Sequence, residues 1–146
     1  MRPTIDEYYL KLVDGVACRS TCARRQVGAI IVSADGLLLA SGYNGVPRGI
    51  PHCLEVNCPG VNDPAGDTSN CLAVHAELNA LLQAGDRLSF ARTIYTSCLP
   101  CLRCALAICN TSIKRVVYRE PYADTRAIEL FKTCGVELVS AVQCTS

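Results

Sequence analysis

His75-Ala76-Glu77 and Pro100-Cys101-Leu102-Arg103-Cys104 are the stretches of this sequence whose residue types and spacing can do chemistry. Proline suits the first turn of a helix, where its missing N–H costs nothing. Cysteines three apart at a helix start point the same way. The positive end of the helix dipole then lowers their pKa toward the thiolates a metal requires. With His75 they make a set of two sulfurs and one nitrogen. Zinc bound by three protein ligands keeps a fourth position open for water, which is the mark of a catalytic site. Glu77 lies two residues from His75, so on a regular helix the two side chains diverge. It reads as the group that takes a proton from water at the open position and passes it to a substrate nitrogen.

The order His-x-Glu then Pro-Cys-x-x-Cys is the known signature of zinc deaminases. A lone His-x-Glu means little, and a lone Cys-x-x-Cys can be a thioredoxin-type redox pair or buried structure. A redox motif of that type follows the first strand, whereas this one comes after a second helix. The catalytic-zinc reading is the one that uses both motifs.

These residues must be held by a chain of 146 residues with net charge +1, which is long enough for one domain with its own core, spanning 1–146. A hydrophobic content of 50% with 18% charged residues excludes a disordered chain. Near-neutral charge removes the usual case for nucleic-acid or membrane-surface partners. The longest apolar runs are too short to span a bilayer. Asp6, Glu7, Lys11 and Asp14 interrupt any secretory signal, so the expectation is a cytoplasmic protein, in a host cytoplasm if the source is viral. An odd total of 11 cysteines then argues against a disulfide framework.

Apolar spacing predicts a helix over Thr4–Cys18, with Thr4 and Glu7 as a capping box. Val27–Val32 and Leu37–Tyr43 read as a hairpin around Ser33-Ala34-Asp35-Gly36. A turn-rich stretch follows from Asn44 to Asn70, long enough in a compact domain to suggest function. Beyond it the pattern predicts helices over Leu72–Ala84, Cys101–Asn110 and Asp124–Thr133. Strands are expected over Arg92–Ser97, Lys114–Arg119 and Val136–Ser140. Helices alternating with near-continuous apolar strands imply a partly parallel sheet covered on both faces, the α/β class with three α/β/α layers.

Four segments carry a family likeness: His75-Ala76-Glu77-Leu78-Asn79-Ala80, the glycine-rich Gly42-Tyr43-Asn44-Gly45-Val46-Pro47-Arg48-Gly49, Arg19-Ser20-Thr21-Cys22 with Arg24-Arg25-Gln26-Val27-Gly28-Ala29, and Tyr95-Thr96-Ser97-Cys98-Leu99-Pro100-Cys101. From about Asp6 to about Val139 the sequence resembles the deoxycytidylate (dCMP) deaminases of the zinc-dependent cytidine deaminase superfamily. The resemblance implies an α/β/α sandwich around a mixed five-stranded sheet and one catalytic Zn2+ on His75, Cys101 and Cys104. It implies hydrolysis of dCMP to dUMP and ammonia, supplying thymidylate synthesis, with Glu77 protonating N3 and later the departing amine. The Ala76 N–H would hold the C2 carbonyl, the Ser97 carbonyl would accept from the exocyclic amine, and Asn44 would contact sugar and base edge. Arg48 and Arg103, with Arg119 and Tyr122 behind them, are candidates for the 5′-phosphate. The family also implies a hexamer, activated by dCTP and inhibited by dTTP with Mg2+, at a site that Arg24, Arg25, Gly42, Tyr43, Asn44 and Gly45 would line.

Some members bind a second, structural zinc through cysteines matching Cys22 and Cys53. Here Ala73 falls where an acidic ligand would be, and Cys58 and Cys71 could complete a four-cysteine set instead. The alternative is buried thiols, while Cys18, Cys98, Cys109, Cys134 and Cys144, on predicted core elements, next to the zinc turn or in the tail, read as reduced thiols. Two other functions compete with dCMP deamination. A nucleic-acid base deaminase, acting on tRNA adenosine or polynucleotide cytosine, would need a basic face. A non-catalytic zinc-stabilised binding module would need no carboxylate at Glu77.

Overall fold

In the computed structural model, residues 1–56, 58, 60 and 69–141 are described. Much of the turn-rich stretch and Cys144 lie outside them. Helix α1 (Ile5–Ala17) opens the chain, and its Thr4 cap makes the capping box in full, with Glu7 N–H to Thr4 Oγ1 at 3.2 Å and Thr4 N–H to Glu7 Oε2 at 2.7 Å. Strands β1 (Gly28–Ser33) and β2 (Leu38–Tyr43) form the antiparallel hairpin. Then come α2 (Ala76–Ala84), β3 (Ala91–Cys98), α3 (Leu102–Cys109), β4 (Arg115–Glu120), α4 (Arg126–Thr133) and β5 (Glu137–Ser140).

The five strands lie in the order β2-β1-β3-β4-β5. β1 runs antiparallel to β2 and β3, while β3, β4 and β5 run parallel, so the sheet is mixed as expected. Successive strand residues face opposite sides. Ala29, Ile31, Ile94 and Val116 therefore share one core with Ala76 and Ala80 of α2, Ala105 and Ile108 of α3, and Phe131 of α4. Ile30, Val32, Tyr95 and Val117 share the other with Tyr9, Leu10 and Val13 of α1. That arrangement is the three-layer sandwich, with one helix on one face and α2, α3 and α4 on the other.

Two boundaries differ from the sequence expectation in ways that matter. The helix expected from Leu72 begins only at Ala76, because Val74 instead pairs with Gly45 through Val74 N–H to O at 2.8 Å and Gly45 N–H to O at 3.1 Å. The helix expected from Cys101 begins at Leu102. A 3₁₀ turn at Gly85–Phe90, which apolar spacing does not reveal, leads from α2 into β3.

Candidate metal centre and cleft

Those displaced boundaries put His75 and Cys101 each at the residue that caps a helix. His75 has φ −68° and ψ 152°, and Cys101 has φ −68° and ψ 166°. A capping residue has extended backbone, so its side chain turns away from the helix barrel toward the space in front of the first N–H groups. The N-termini of α2 and α3 thus face one point. Cys104, one turn into α3 and fully buried, faces the same point from below.

His75 Nδ1 stands 3.4 Å from both Cys101 Sγ and Cys104 Sγ. All three ligand atoms lie within 4.8 Å of one another. A tetrahedral zinc with bonds of about 2.3 Å to sulfur and 2.0 Å to nitrogen sets such atoms about 3.5 Å apart, so the trio has the spacing the ion needs. The Cys104 thiol and the His75 ring, both bonded to Cys101, hold the Cys101 thiol down at about 4. A ready thiolate at a helix N-terminus is the donor chemistry zinc selects.

Glu77 follows in the first turn of α2 and is only 3% exposed. Burial pushes its carboxyl above the ordinary range, and Thr96 Oγ1 lies 3.5 Å from its Oε1. A carboxyl in the cleft wall, raised by burial, is suited to accept a proton and release it again. α2 reaches this position because β2 has no side chain at Gly42, where an added Cβ would run into the backbone of Ala76, Asn79 and Ala80.

The cleft in front of the trio encloses ≈ 470 Å³, room for a small ligand. Of the expected substrate residues, Asn44, Ala76 and Tyr122 line it, beside His75, Glu77 and Cys101. Asn44 is also tied into the wall. Its Oδ1 accepts from Val27 N–H at 2.9 Å and Ser20 Oγ at 2.6 Å, and its Nδ2 donates to Arg25 O at 2.8 Å. The Ser97 hydroxyl turns to the neighbouring strand, where Gly28 N–H donates to it at 2.9 Å.

The expected phosphate arginines are placed elsewhere. Arg48 lines a second cleft of ≈ 570 Å³ with Arg19, Gly42, Tyr43, Gly45 and Arg87. Arg103 is exposed on α3, and Arg119 is ion-paired with Asp14 of α1. Arg24 and Arg25, expected with the glycine-rich loop at an effector site, line the zinc cleft instead. Leu99 and Ala73 line it as well, neither having been assigned to substrate from the sequence. The arginine pair reaches the cleft because it comes just before β1, which lies beside β3, and β3 leads to Cys101.

Cys22 and Cys71 also border the cleft. Burial and the adjoining Cys58 thiol, with Cys22 and Cys71 close enough to act on it too, push the Cys53 thiol up to about 11. Among the described residues, however, only His75, Cys101 and Cys104 bring three ligand atoms within 4.8 Å of one another. Of the remaining described thiols, Cys98 is buried and lines the cleft, Cys109 is half-buried beside Cys134 at the ends of α3 and α4, and Cys18 and Cys134 are exposed. Among the described residues no helix is long and apolar enough to cross a membrane.

Comparison with known proteins gives this geometry its family. Residues 3–120 match the model of the cytidine and deoxycytidylate deaminase zinc-binding region. Deoxycytidylate deaminase of Saccharomyces cerevisiae is 43% identical over 141 residues, covering 93% of this chain and 44% of the yeast protein. That of Mycobacterium phage D29 is 40% identical over 123 residues, covering 80% of this chain and 95% of the phage protein. The crystal structure of dCMP deaminase from cyanophage S-TIM5 in complex with dCMP and dUMP superposes with a TM-score of 0.79 at 34% identity, over 97% and 99% of the two chains. This chain spans under half the length of the yeast relatives it matches, 44% in each case. By matched region and shared metal centre, the chain belongs to the zinc-dependent cytidine and deoxycytidylate deaminase family.

Proposed function

We propose that the protein hydrolyses dCMP to dUMP and ammonia, a source of dUMP for thymidylate synthesis. The observation that carries the reading is Glu77, buried in the cleft wall at the helix start His75 caps, where a ligand trio leaves one tetrahedral position free. The yeast, phage and cyanophage relatives, all deoxycytidylate deaminases by name, support the choice of substrate.

His75, Cys101 and Cys104 would hold Zn2+, which supplies a Lewis acid able to make water nucleophilic at neutral pH. Glu77 takes one proton from the water and delivers it to N3, then takes the second from the hydroxyl now on C4 and delivers it to the departing 4-amino group. The Ala76 N–H, at the start of α2, points its dipole at the C2 carbonyl and orients the ring. Asn44 keeps one Nδ2 hydrogen uncommitted by the bonds above, and this is the hydrogen available to the sugar or base edge. Leu99 and Ala76, both buried, give the cleft an apolar wall.

The same reading extends to two finer points. Cys53 adjoins Cys58, with Cys22 and Cys71 near enough to act on it, and a second, closed zinc site on these four would tie the post-α1 segment to the turn-rich stretch. Metal analysis of purified protein is expected to give two zinc ions per chain; a ratio near one would make these four cysteines thiols. The second cleft, with Arg19, Arg48 and Arg87 among its lining, is the candidate for dCTP and dTTP with Mg2+. A rate titration with each at low dCMP tests that, and a flat response would remove regulation from the reading.

A nucleic-acid base deaminase is the nearest competitor, and net charge +1 gives it little phosphate attraction. Incubation with dCMP, cytidine and a short single-stranded oligonucleotide separates the readings. Turnover of dCMP is expected to dominate, and turnover of the oligonucleotide alone would overturn the proposal.

A further inference from the structure

A monophosphate substrate needs a cation at the zinc cleft, and among the described residues the cations that line it are Arg24 and Arg25. Arg25 is the one whose position is built. Its carbonyl oxygen accepts from Asn44 Nδ2 at 2.8 Å and from Ser20 Oγ at 3.4 Å, so a buried amide fixes the backbone from which the side chain springs. Its guanidinium lies 6.0 Å over the ring of Tyr122, another cleft residue. There it meets Glu120 Oε2 at 3.5 Å. Glu120 ends β4 and Tyr122 follows it, so the arginine, just before β1, reaches to the end of β4 across the end of β3 that leads to the zinc ligands.

The ion pair with Glu120 is a weak one. Its side chains are 41% and 64% exposed, and a single contact at 3.5 Å satisfies little of a guanidinium fork. A phosphate monoester carries close to two negative charges near neutral pH and offers two oxygens to that fork at once. It therefore displaces a lone exposed carboxylate. The Tyr122 ring, 6.0 Å away, keeps a cation–π attraction on the group while its partner changes.

We propose that Arg25 is the residue that selects a 5′-phosphorylated substrate, its guanidinium exchanging Glu120 for the phosphate of a pyrimidine nucleoside monophosphate. Glu120 keeps the arginine at the cleft when no nucleotide is bound and competes mildly with the phosphate when one arrives. This rests on the deaminase reading above and adds to it the identity of the specificity residue.

The test compares kcat/KM for dCMP with kcat/KM for deoxycytidine in the zinc-loaded protein and its variants. Arg25→Gln is expected to lower that ratio on the order of 10- to 100-fold, mostly through KM for dCMP, the range set by loss of charge-assisted hydrogen bonds. Arg25→Lys keeps the charge without the fork and recovers part of it. Glu120→Gln moves the other way, with a KM for dCMP about two- to threefold lower. It serves as the deciding variant if Arg25→Gln does not fold. An Arg25→Gln ratio within threefold of wild type, or an equal loss in Arg24→Gln, would overturn the assignment. An increase in KM for dCMP in Glu120→Gln would overturn it too. Wild-type protein that leaves dCMP untouched would instead sink the deaminase reading beneath it.

Discussion

Glu77 and the three ligand residues divide the chemistry between them, and single substitutions should separate their shares. Glu77→Gln preserves shape and removes the proton acceptor. It is expected to keep its catalytic zinc while turnover falls by at least ~10²-fold. Near-normal turnover with zinc retained would exclude Glu77 as the proton shuttle. Cys104→Ser, by contrast, removes a buried sulfur donor from the trio and is expected to lose the catalytic zinc itself, seen as one metal ion fewer per chain. The trio and Glu77 were legible in the sequence because each motif is local: capping and spacing along one helix start decide where the side chains point. Arg25 was not legible as a cleft residue. Its place depends on β1 lying beside β3, a pairing between distant segments that no local pattern encodes.

At the scale of elements, the site depends on two docking contacts that bring α1 and α2 to the sheet. Gly42 of β2 is one, since it allows α2, with Glu77 in its first turn, to lie directly on the strand. Gly42→Ala is expected to cost roughly 1–3 kcal/mol and to lower activity beyond what lost folding explains, because α2 must shift. Urea unfolding beside specific activity of the folded fraction checks both. The other contact is Asp6 on α1, which takes both arms of Arg115 of β4 at 2.8 and 2.7 Å and the hydroxyl of Tyr95 of β3 at 2.8 Å. The Arg115 guanidinium holds the Asp6 carboxyl below its usual 3.8. A depressed carboxylate contributes stability that is whole above that value and fades as pH falls through the folded pKa. Asp6→Asn is accordingly expected to be less stable at pH 7 by about 1–2 kcal/mol. Its deficit relative to wild type should shrink at pH below 3.8. A deficit that is constant with pH would make the contact one of packing alone. The α1 capping box was readable from Thr4 and Glu7, as neighbours in sequence. The true start of α2 was not, because Val74 is drawn into extended form by Gly45 on a remote loop.

For the whole molecule, the zinc trio is also a clasp. It joins the starts of α2 and α3, two helices packed on the same face of the sheet, so metal binding and folding should be coupled. Removing zinc with a chelator is expected to lower Tm by several degrees and readdition to restore it; an unchanged Tm would mean that the helices hold the site without help. The layer order and mixed sheet were readable from the alternation of helices with apolar strands, whereas the crossover that sets β1 between β2 and β3 is visible only in the fold. The most direct measurement of the central claim is conversion of dCMP by purified, zinc-loaded protein, followed as loss of cytosine absorbance and release of ammonia. One ammonia per dUMP is expected, at a rate that vanishes with the zinc and returns with it. Zinc-loaded, folded protein that leaves dCMP unchanged would contradict it.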